Sequence, residues 1–290
     1  MCEGLGHIAR FRFHEKIRDF LMFQKPPQVA QSIEWRLNMR LKNRVAIITG
    51  GARGIGAAFA IGFGKEGAKV VIGDIRDGKK TVDAIEKAGG QAVYVKTDVT
   101  KQDECNALAK AAVDHFGTID ILINNAGTLV QIKPFMEVTT EEWMQLMATN
   151  TLGPFHCTKA VFPYMKEKGG RIINISSGTV FEGVPGLPHY LSSKGAVMAF
   201  TRGMARELGD YNINVNSIAP GFTHSEGGDE FDRVKKFPAV PLDEVQMPLR
   251  CIKRPTYPED LVGTALYLAS DDSRLITGQL IIHDGGMSLH

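Results

Sequence analysis

The sequence predicts an α/β fold: a doubly wound parallel sheet of seven strands flanked by helices on both faces. From Arg44 onward, short runs rich in β-branched residues alternate with segments of helical period, a pattern typical of parallel strands joined by crossover helices. Each run is nearly continuous in apolar residues, as a sheet covered on both faces requires. The predicted strands cover residues 45–49, 69–74, 91–98, 119–124, 171–175, 213–218 and 280–283.

Two short sequences indicate where helices begin between these strands. Thr139 is followed by Glu142, and this spacing is that of a capping box, in which the two residues bond each other's backbone amides. The sequence from Thr256 to Glu259 is of the same type and carries Pro258 within the first turn, where no amide hydrogen is needed. We therefore expect one helix to begin near residue 140 and another near residue 257.

Composition and charge exclude several classes of protein. The 290 residues are 43% hydrophobic and 23% charged, with a mean hydropathy of -0.09, which is not the composition of a disordered, collagen-like or coiled-coil chain. No run approaches the roughly 18 apolar residues that a membrane span needs. The net charge of +2 creates no field that would attract a polyanion. We expect no membrane and no nucleic acid as partners.

Cysteine and histidine spacing bears on metal binding and location. Cys2, Cys105, Cys157 and Cys251 lie far apart and form no CxxC pair, so they are predicted to be the reduced thiols of a cytoplasmic protein. The eight histidines show no zinc-ligand spacing, so no metal is expected. The N-terminal residues also lack the uninterrupted apolar region of a secretory signal.

A glycine-rich turn, TGGARGIG, follows the first predicted strand and opens a helix. The missing Cβ atoms at Gly50, Gly54 and Gly56 let backbone amides approach a pyrophosphate at the helix N-terminus. The second strand ends in Asp74, whose carboxylate can accept hydrogen bonds from both ribose hydroxyls and would repel a 2′-phosphate. This favours NAD over NADP, although Arg53 in the turn could instead meet a 2′-phosphate.

An ordered series of motifs resembles the short-chain dehydrogenases/reductases over about residues 40–290. The glycines are spaced Gly-x-x-x-Gly-x-Gly, as in this family, and not Gly-x-Gly-x-x-Gly. The resemblance implies a Rossmann-like single domain, a nicotinamide cofactor and hydride transfer between a secondary alcohol and a ketone. The later motifs are Asp98-Val99-Thr100, Asn124-Asn125-Ala126-Gly127, Asn150, Ser177, Tyr190-x-x-x-Lys194, Pro220-Gly221 and Asp284-Gly285-Gly286.

The resemblance also assigns residues to the cofactor. It implies that Asp98 and Val99 border the adenine, that residues 124–127 brace the central strand, and that Pro220 lies beside the nicotinamide. Ser225 stands where relatives often carry a threonine near the nicotinamide amide. The predicted cofactor contacts are Gly50, Arg53, Gly54, Ile55, Gly56, Asp74, Asp98, Val99, Asn125, Ala126, Gly127, Tyr190, Lys194, Pro220, Gly221, Phe222 and Ser225.

Four residues form the predicted catalytic set. Tyr190 and Lys194 are four apart in a segment of helical period and share a helix face. An adjacent ammonium and the positive nicotinamide ring favour the phenolate, which makes Tyr190 the general acid/base. The resemblance implies that Lys194 bonds the nicotinamide ribose, that Ser177 bonds the substrate oxygen and that Asn150 holds a water. We choose Ser177 over Ser176 because its separation from Tyr190 is that of the family.

Residues after the catalytic serine predict the substrate class. The stretch 179–190 is mostly apolar and contains no arginine or lysine, which favours a neutral secondary alcohol or ketone held in a dry pocket. Residues 181–186 and 276–279 also resemble those of secondary-alcohol dehydrogenases and of 3-oxoacyl-carrier-protein reductases, so an NADPH-dependent 3-oxoacyl-carrier-protein reductase is an alternative. A non-catalytic NAD(H)-binding regulator is another, and the complete catalytic set argues against it. The predicted pocket residues are Ser177, Thr179, Leu187, His189 and Tyr190.

The remaining predictions concern organisation. Residues 41–290 form the predicted catalytic domain, with a glycine- and proline-rich substrate lid over about 224–255. Residues 1–40 are an extension, either helical or disordered. The resemblance implies a homotetramer joined through helices at 150–166 and 190–208. The residues that could serve either this interface or the core are Val161, Phe162, Met165, Val197, Phe200 and Met204.

Overall fold

Parallel strands form one sheet in the computed structural model, which describes residues 39–129, 132–226 and 246–289. Within these residues the sheet has seven strands in the order β3-β2-β1-β4-β5-β6-β7, and every neighbouring pair is parallel. The predicted fold class is confirmed. The strands are β1 Val45–Thr49, β2 Lys69–Asp74, β3 Gln91–Lys96, β4 Ile121–Asn124, β5 Gly170–Ile175, β6 Ile213–Pro220 and β7 Leu280–His283.

Helices connect the strands and cover both faces of the sheet. A π-helical turn, Ala148–Leu152, lies between two of them. The helices are α1 Gly54–Lys65, α2 Lys79–Lys87, α3 Gln102–Phe116, α4 Thr140–Met147, α5 Gly153–Met165, α6 Thr179–Glu182, α7 Pro188–Glu207 and α8 Pro258–Ala269.

The two predicted helix starts differ in outcome. Thr139 caps α4 as expected: its hydroxyl accepts from the Glu142 amide at 3.2 Å, and the Glu142 carboxylate accepts from the Thr139 amide at 3.0 Å. Helix α8 begins one residue later than its sequence suggests, because Tyr257 is the N-cap. The carboxylate of Asp260 accepts from the Tyr257 amide at 2.9 Å, so the reciprocal bond comes from Asp260 and not from Glu259.

Alternate residues of each strand pack into two apolar layers, one on each face of the sheet. In β1, Ala46 and Ile48 pack on the α1 and α8 side, whereas Val45 and Ile47 pack on the α3 and α5 side. All four side chains are at most 1% exposed, which explains why the strand is apolar at every position. Tight packing on both faces holds the carboxyl ends of the strands at fixed positions.

Three of the residues left open between core and interface belong to the core. Val161, Met165 and Val197 are at most 1% exposed, and Val161 and Met165 lie in the layer beneath α5. The exposed aromatic residues of α5 are instead Phe155 and Tyr164, at 44% and 39% exposure. Helical period alone did not distinguish the two faces, because both carry apolar residues.

The predicted domain boundaries are described only in part. The described residues from Arg40 onward form one compact unit. The extension at 1–40 lies almost wholly outside the described residues, as does most of the predicted lid at 224–255, and both stay predictions. Within the described part of the chain, no helix is both long enough and apolar enough to span a membrane.

Candidate active site

The predicted site residues gather at the carboxyl edge of the sheet. Adjacent strands β1 and β4 have their following connections on opposite faces of the sheet, and a crevice opens outside the strand ends where the order reverses in this way. Gly50 follows β1, Asp74 ends β2, and Asn125 follows β4. On the other side of the reversal, Ser177 follows β5 and Pro220 ends β6. The two halves of the predicted site therefore share one edge.

The glycine turn is held in a conformation that side chains would block. Gly50 and Gly54 have φ values of 64° and 57°, in the left-handed region that favours glycine. A Cβ atom at Gly56 would lie 2.1 Å from the Gly50 oxygen and 2.5 Å from Nδ2 of Asn125. Asn125 in turn donates to the Gly50 oxygen at 3.1 Å. The turn leaves the N-terminus of α1 open to an anion.

Asp74 is buried beside this turn with its carboxylate held by backbone amides. Its Oδ2 accepts from the Ala52 amide at 3.0 Å and its Oδ1 from the Arg76 amide at 2.9 Å. The side chain is 7% exposed, so a negative charge is fixed at the end of β2. Arg76, which the sequence analysis did not single out, lies two residues further and is exposed.

A cleft of about 670 Å³ runs along this edge. Twelve of the predicted cofactor contacts line it, including Asp74, Val99 and Ser225. Its glycine turn and the N-terminus of α1 offer backbone amides that fit a dinucleotide, and the charged residues Arg53, Asp74 and Arg76 line the same space. The lining residues that the sequence analysis did not assign to the cofactor are Ile75, Arg76, Thr97, Thr100, Thr128, Gln145, Ala148 and Thr149.

Asn150 lies in the π turn and is 1% exposed. Its Oδ1 accepts from the Thr128 amide at 2.8 Å, and its Nδ2 donates to the Thr128 oxygen and the Ser193 hydroxyl, both at 3.0 Å. The side chain thus fastens the segment after β4 to the helix that carries Tyr190. π turns are frequent at functional sites. The water-holding role of Asn150 stays a prediction.

Tyr190 and Lys194 lie together in the first two turns of α7. The Lys194 Nζ atom is 5.9 Å from the centre of the Tyr190 ring and donates to the Ile175 oxygen at 2.9 Å. Burial lowers the pKa of Lys194 to about 8. Burial also raises the pKa of Tyr190, and a hydrogen bond with Ser177 offsets part of that rise. Both proton affinities are therefore displaced from their ordinary values, as is frequent at active sites.

Ser177 and Ser176 have different surroundings. The Ser177 Oγ accepts from the Thr179 hydroxyl at 2.9 Å and from the Thr179 amide at 3.3 Å, so its own proton is free to point elsewhere. Ser176 instead donates to the backbone oxygen of Lys194 at 2.9 Å. A hydrogen bond from Ser177 also opposes the rise that burial causes in the pKa of Tyr190. The choice of Ser177 over Ser176 stays a prediction.

The other predicted pocket and nicotinamide residues have varied positions. Leu187 is buried in a small apolar cluster with Ile132, and His189 is fully buried, its ring 6.5 Å from that of Trp143. Their place in the substrate pocket stays a prediction. The oxygen of Pro220 accepts from the Gly178 amide at 2.8 Å. The remaining two, Gly221 and Phe222, follow directly and are half-buried.

Comparison with known proteins decides the family. Residues 50–288 match a family model described as enoyl-(acyl carrier protein) reductase. The chain belongs to the short-chain dehydrogenase/reductase family. It is therefore an oxidoreductase acting on CH–OH groups with a nicotinamide cofactor, and the predicted family and reaction class are confirmed.

Similar proteins span nearly the whole domain. The uncharacterized oxidoreductase YhdF of Bacillus subtilis is 36% identical over 273 residues, which cover 90% of this chain and 89% of the relative. A 3-oxoacyl-[acyl-carrier-protein] reductase FabG of Chlamydia muridarum is 35% identical, with 87% of this chain and 100% of the relative covered. A dehydrogenase/reductase structure from Sinorhizobium meliloti 1021 has a TM-score of 0.79 at 31% identity, covering 87% of this chain and 98% of that one.

Proposed function

We propose that the chain interconverts a neutral secondary alcohol and its ketone with NAD as the preferred cofactor. The observation that carries the proposal is the juxtaposition of Tyr190, Lys194 and Ser177 at the sheet edge that also holds the nucleotide cleft. A general acid/base and a hydrogen-bond donor for the substrate oxygen are what transfer of a hydride to or from a carbinol carbon needs besides the cofactor.

The preference for NAD rests on the fixed charge at Asp74. Its carboxylate is buried and amide-bound, so it is held in place where a second anion at the end of β2 would be repelled. Arg53 and Arg76 also line the cleft and supply positive charge that would favour a 2′-phosphate. We expect the Asp74 carboxylate to influence cofactor choice more strongly than the two arginines do. Asp74 is 7% exposed, whereas Arg53 is only half-buried and Arg76 is exposed, so that solvent screens the charge of Arg76.

Each catalytic residue has a defined task in the proposed reaction. When bound, the nicotinamide supplies a hydride acceptor for oxidation and a hydride donor for reduction. In oxidation the Tyr190 oxygen takes the proton of the substrate hydroxyl, and in reduction it returns a proton to the ketone oxygen. The Ser177 hydroxyl donates to the substrate oxygen, since its lone pairs are used by Thr179. The Lys194 ammonium favours the phenolate form of Tyr190.

The substrate class rests on the residues around Ser177. The segment from Thr179 to Tyr190 contains no arginine or lysine, so a carboxylate or phosphate would lack a permanently charged partner there. A second candidate function is NADPH-dependent reduction of a 3-oxoacyl carrier-protein thioester, and the observation in its favour is the 35% identity to the C. muridarum FabG together with Arg53 and Arg76 at the cleft. A regulator that binds NAD(H) without turnover is the third.

One experiment separates these functions. Purified protein is titrated with NADH and NADPH, and turnover is then followed with secondary alcohols and NAD, and with a 3-oxoacyl thioester and NADPH. We expect tighter NADH binding, turnover of neutral alcohols, and a loss of kcat by about 10²–10⁴-fold in Tyr190→Phe with NADH binding retained. Turnover that survives Tyr190→Phe refutes the mechanism, and binding without any turnover identifies a regulator.

Location and assembly extend the proposal. We propose a cytoplasmic protein, because Cys105, Cys157 and Cys251 are free thiols and secreted proteins more often carry disulfides. We also propose a homotetramer, in line with the family resemblance and with the exposed aromatic residues Phe155 and Tyr164 on α5. The assembly has its own test in the Discussion.

A further inference from the structure

Two buried cysteines meet where α3 packs on α5. The sulfur atoms of Cys105 on α3 and Cys157 on α5 are 3.5 Å apart, and the residues are 1% and 3% exposed. The proposed reaction uses neither thiol. A disulfide needs a sulfur separation of about 2.05 Å, so a small movement of the two helices or side chains would join them.

This cysteine pair is attached to the wall of the nucleotide cleft through Val99. The Cys105 Sγ donates to the Val99 oxygen at 3.6 Å, and the Nδ1 atom of His156 on α5 lies 3.1 Å from the same oxygen. The Val99 side chain also packs directly on α5, where a Cβ atom at Gly153 would be 2.8 Å from its Cγ2. Val99 itself lines the cleft. Both helices that carry the cysteines therefore hold this part of the wall.

We propose that Cys105 and Cys157 are an oxidation site: a hydroperoxide joins them in an intramolecular disulfide, and the disulfide weakens nucleotide binding through Val99. The second half of this proposal rests on the proposed function, since it requires that the cleft binds a nicotinamide nucleotide. Oxidation removes the thiol hydrogen that Cys105 donates to Val99. Drawing α3 and α5 together also displaces Gly153, against which Val99 packs.

The chemistry balances with hydrogen peroxide as oxidant. The Cys105 sulfur, as thiolate, attacks one peroxide oxygen, so that an S–O bond forms, the O–O bond breaks and hydroxide leaves. The Cys157 sulfur then attacks Cys105, an S–S bond forms, and the oxygen leaves as water with the Cys157 proton. The released hydroxide takes up the proton that the Cys105 thiol lost, so the two sulfurs lose two electrons in total and the peroxide is reduced to two waters.

The surroundings of the two sulfurs indicate which one attacks the peroxide and which one completes the disulfide. Cys105 is assigned as the attacking sulfur because it is the one bonded to Val99 at the cleft wall. A hydrogen bond from the Cys157 thiol also lowers the pKa of Cys105, against the opposing charges of Asp98 and Glu104. The hydrogen bond to Cys105 and burial raise the pKa of Cys157, as suits a thiol that waits for the intermediate. Neither cysteine lines the cleft and both are nearly fully buried, so peroxide reaches the pair only when the packing of Val99 against α3 and α5 opens locally. Bound nucleotide, held against Val99, opposes that opening and slows the reaction.

The test treats the reduced full-length protein with hydrogen peroxide, blocks free thiols by alkylation and maps the disulfide by mass spectrometry. NADH is then titrated into reduced, oxidised and re-reduced protein. We expect a Cys105–Cys157 cross-link, an NADH dissociation constant raised about threefold to tenfold by its formation, and recovery with dithiothreitol. Saturating NADH should slow cross-linking, because bound nucleotide stabilises the closed packing around Val99 that keeps peroxide from the two sulfurs.

Three cysteine variants distinguish a failure of this inference from a failure of the proposed function. Cys105→Ala and Cys157→Ala should each lose the peroxide effect, whereas Cys251→Ala, at an exposed cysteine, should keep it. A sulfinic acid, a cross-link to another cysteine, or unchanged NADH affinity after cross-linking overturns this inference. If the reduced protein binds no nucleotide at all, the proposed function fails instead. The mapping on the unmodified chain decides the cross-link even where a variant does not fold.

Discussion

At the scale of single residues, the charge of Asp74 is predicted to select the cofactor. Asp74→Asn keeps the size of the side chain and removes the charge that two backbone amides now hold in place. Like charges at 4 Å repel by about 1 kcal/mol even in bulk water, and more where burial reduces screening. We therefore expect the ratio of NADPH to NADH affinity to rise about tenfold, measured by fluorescence titration of both nucleotides.

A matched variant shows whether that effect is local. Asp77→Asn removes a charge three residues away, at an exposed position whose carboxylate caps the amide of Lys79. This variant should leave the nucleotide ratio unchanged. An Asp74→Asn protein that still prefers NADH by the original margin would show that Asp74 does not act as the selector.

The buried charge of Lys194, which the proposed reaction needs, is predicted to lower the free energy of unfolding. Its pKa falls from an ordinary value of 10.5 to about 8 on burial, so between these values the unfolded chain binds more protons and the free energy of unfolding rises with pH. At pH 7 the folded protein carries a buried ammonium. Lys194→Met should then raise the free energy of unfolding of the nucleotide-free protein by about 1–3 kcal/mol at pH 7, with turnover lost.

Urea unfolding at pH 7 and pH 10 measures this difference. The gain should shrink at pH 10, where most of the folded wild-type protein already has a neutral Lys194. Lys42→Met, which removes an exposed ammonium, serves as the control and should change little. A Lys194→Met protein no more stable than wild type at pH 7 would contradict the account.

At the scale of elements, local signals predicted the parts that local chemistry determines. Every predicted strand exists, because apolar runs buried on both faces leave a plain pattern, and α4 begins where its capping box places it. Strand ends were less certain: β6 runs to Pro220 because β7 pairs with it that far. The π turn at Ala148–Leu152 had no sequence signal, since an extra residue in a helical turn leaves the helical period of its neighbours intact.

The glycines of the first turn and of the last helix give opposite predictions for the same substitution. Gly56→Ala would put a Cβ atom 2.1 Å from the Gly50 oxygen, so the turn must open, with a cost of about 1–3 kcal/mol and at least tenfold weaker NADH binding. Gly263→Ala lies in α8, where nothing is within 4 Å, and should stabilise the protein by about 0.5–1 kcal/mol.

Thermal unfolding and NADH titration of the two glycine variants make the comparison. Both substitutions add one methyl group to a helix, so helix propensity alone favours both equally. If Gly56→Ala binds NADH as tightly as wild type does, the turn accepts the added methyl group without opening. If Gly263→Ala destabilises the fold, the space beside α8 is not open.

At the scale of the whole molecule, the site depends on contacts that no sequence window contains. Arg76 and Gln145 both line the cleft, yet they are 69 positions apart in the chain and meet only because β2 and β4 end at one edge. Asn150 and Lys194 also meet beside Gly127: a Cβ atom added at Gly127 would lie 3.2 Å from the Asn150 Oδ1 atom and 3.4 Å from the Lys194 Nζ atom. The family motifs named most of these residues. Their partners became visible only when the sheet placed the loops side by side.

The assembly is predicted to be a homotetramer in which α5 lies at a subunit contact. Phe155 and Tyr164 are 44% and 39% exposed on this helix, and a symmetric contact would cover them. Light scattering should give four times the chain mass of 31.8 kDa.

The double variant Phe155→Lys, Tyr164→Lys tests this contact. It sets like charges against each other across the contact and should give smaller species, whereas Met136→Lys, at an 80% exposed residue outside α5, should not. A monodisperse wild-type monomer, or a tetramer untouched by the double variant, would remove α5 from the interface and leave its aromatic residues without an explanation.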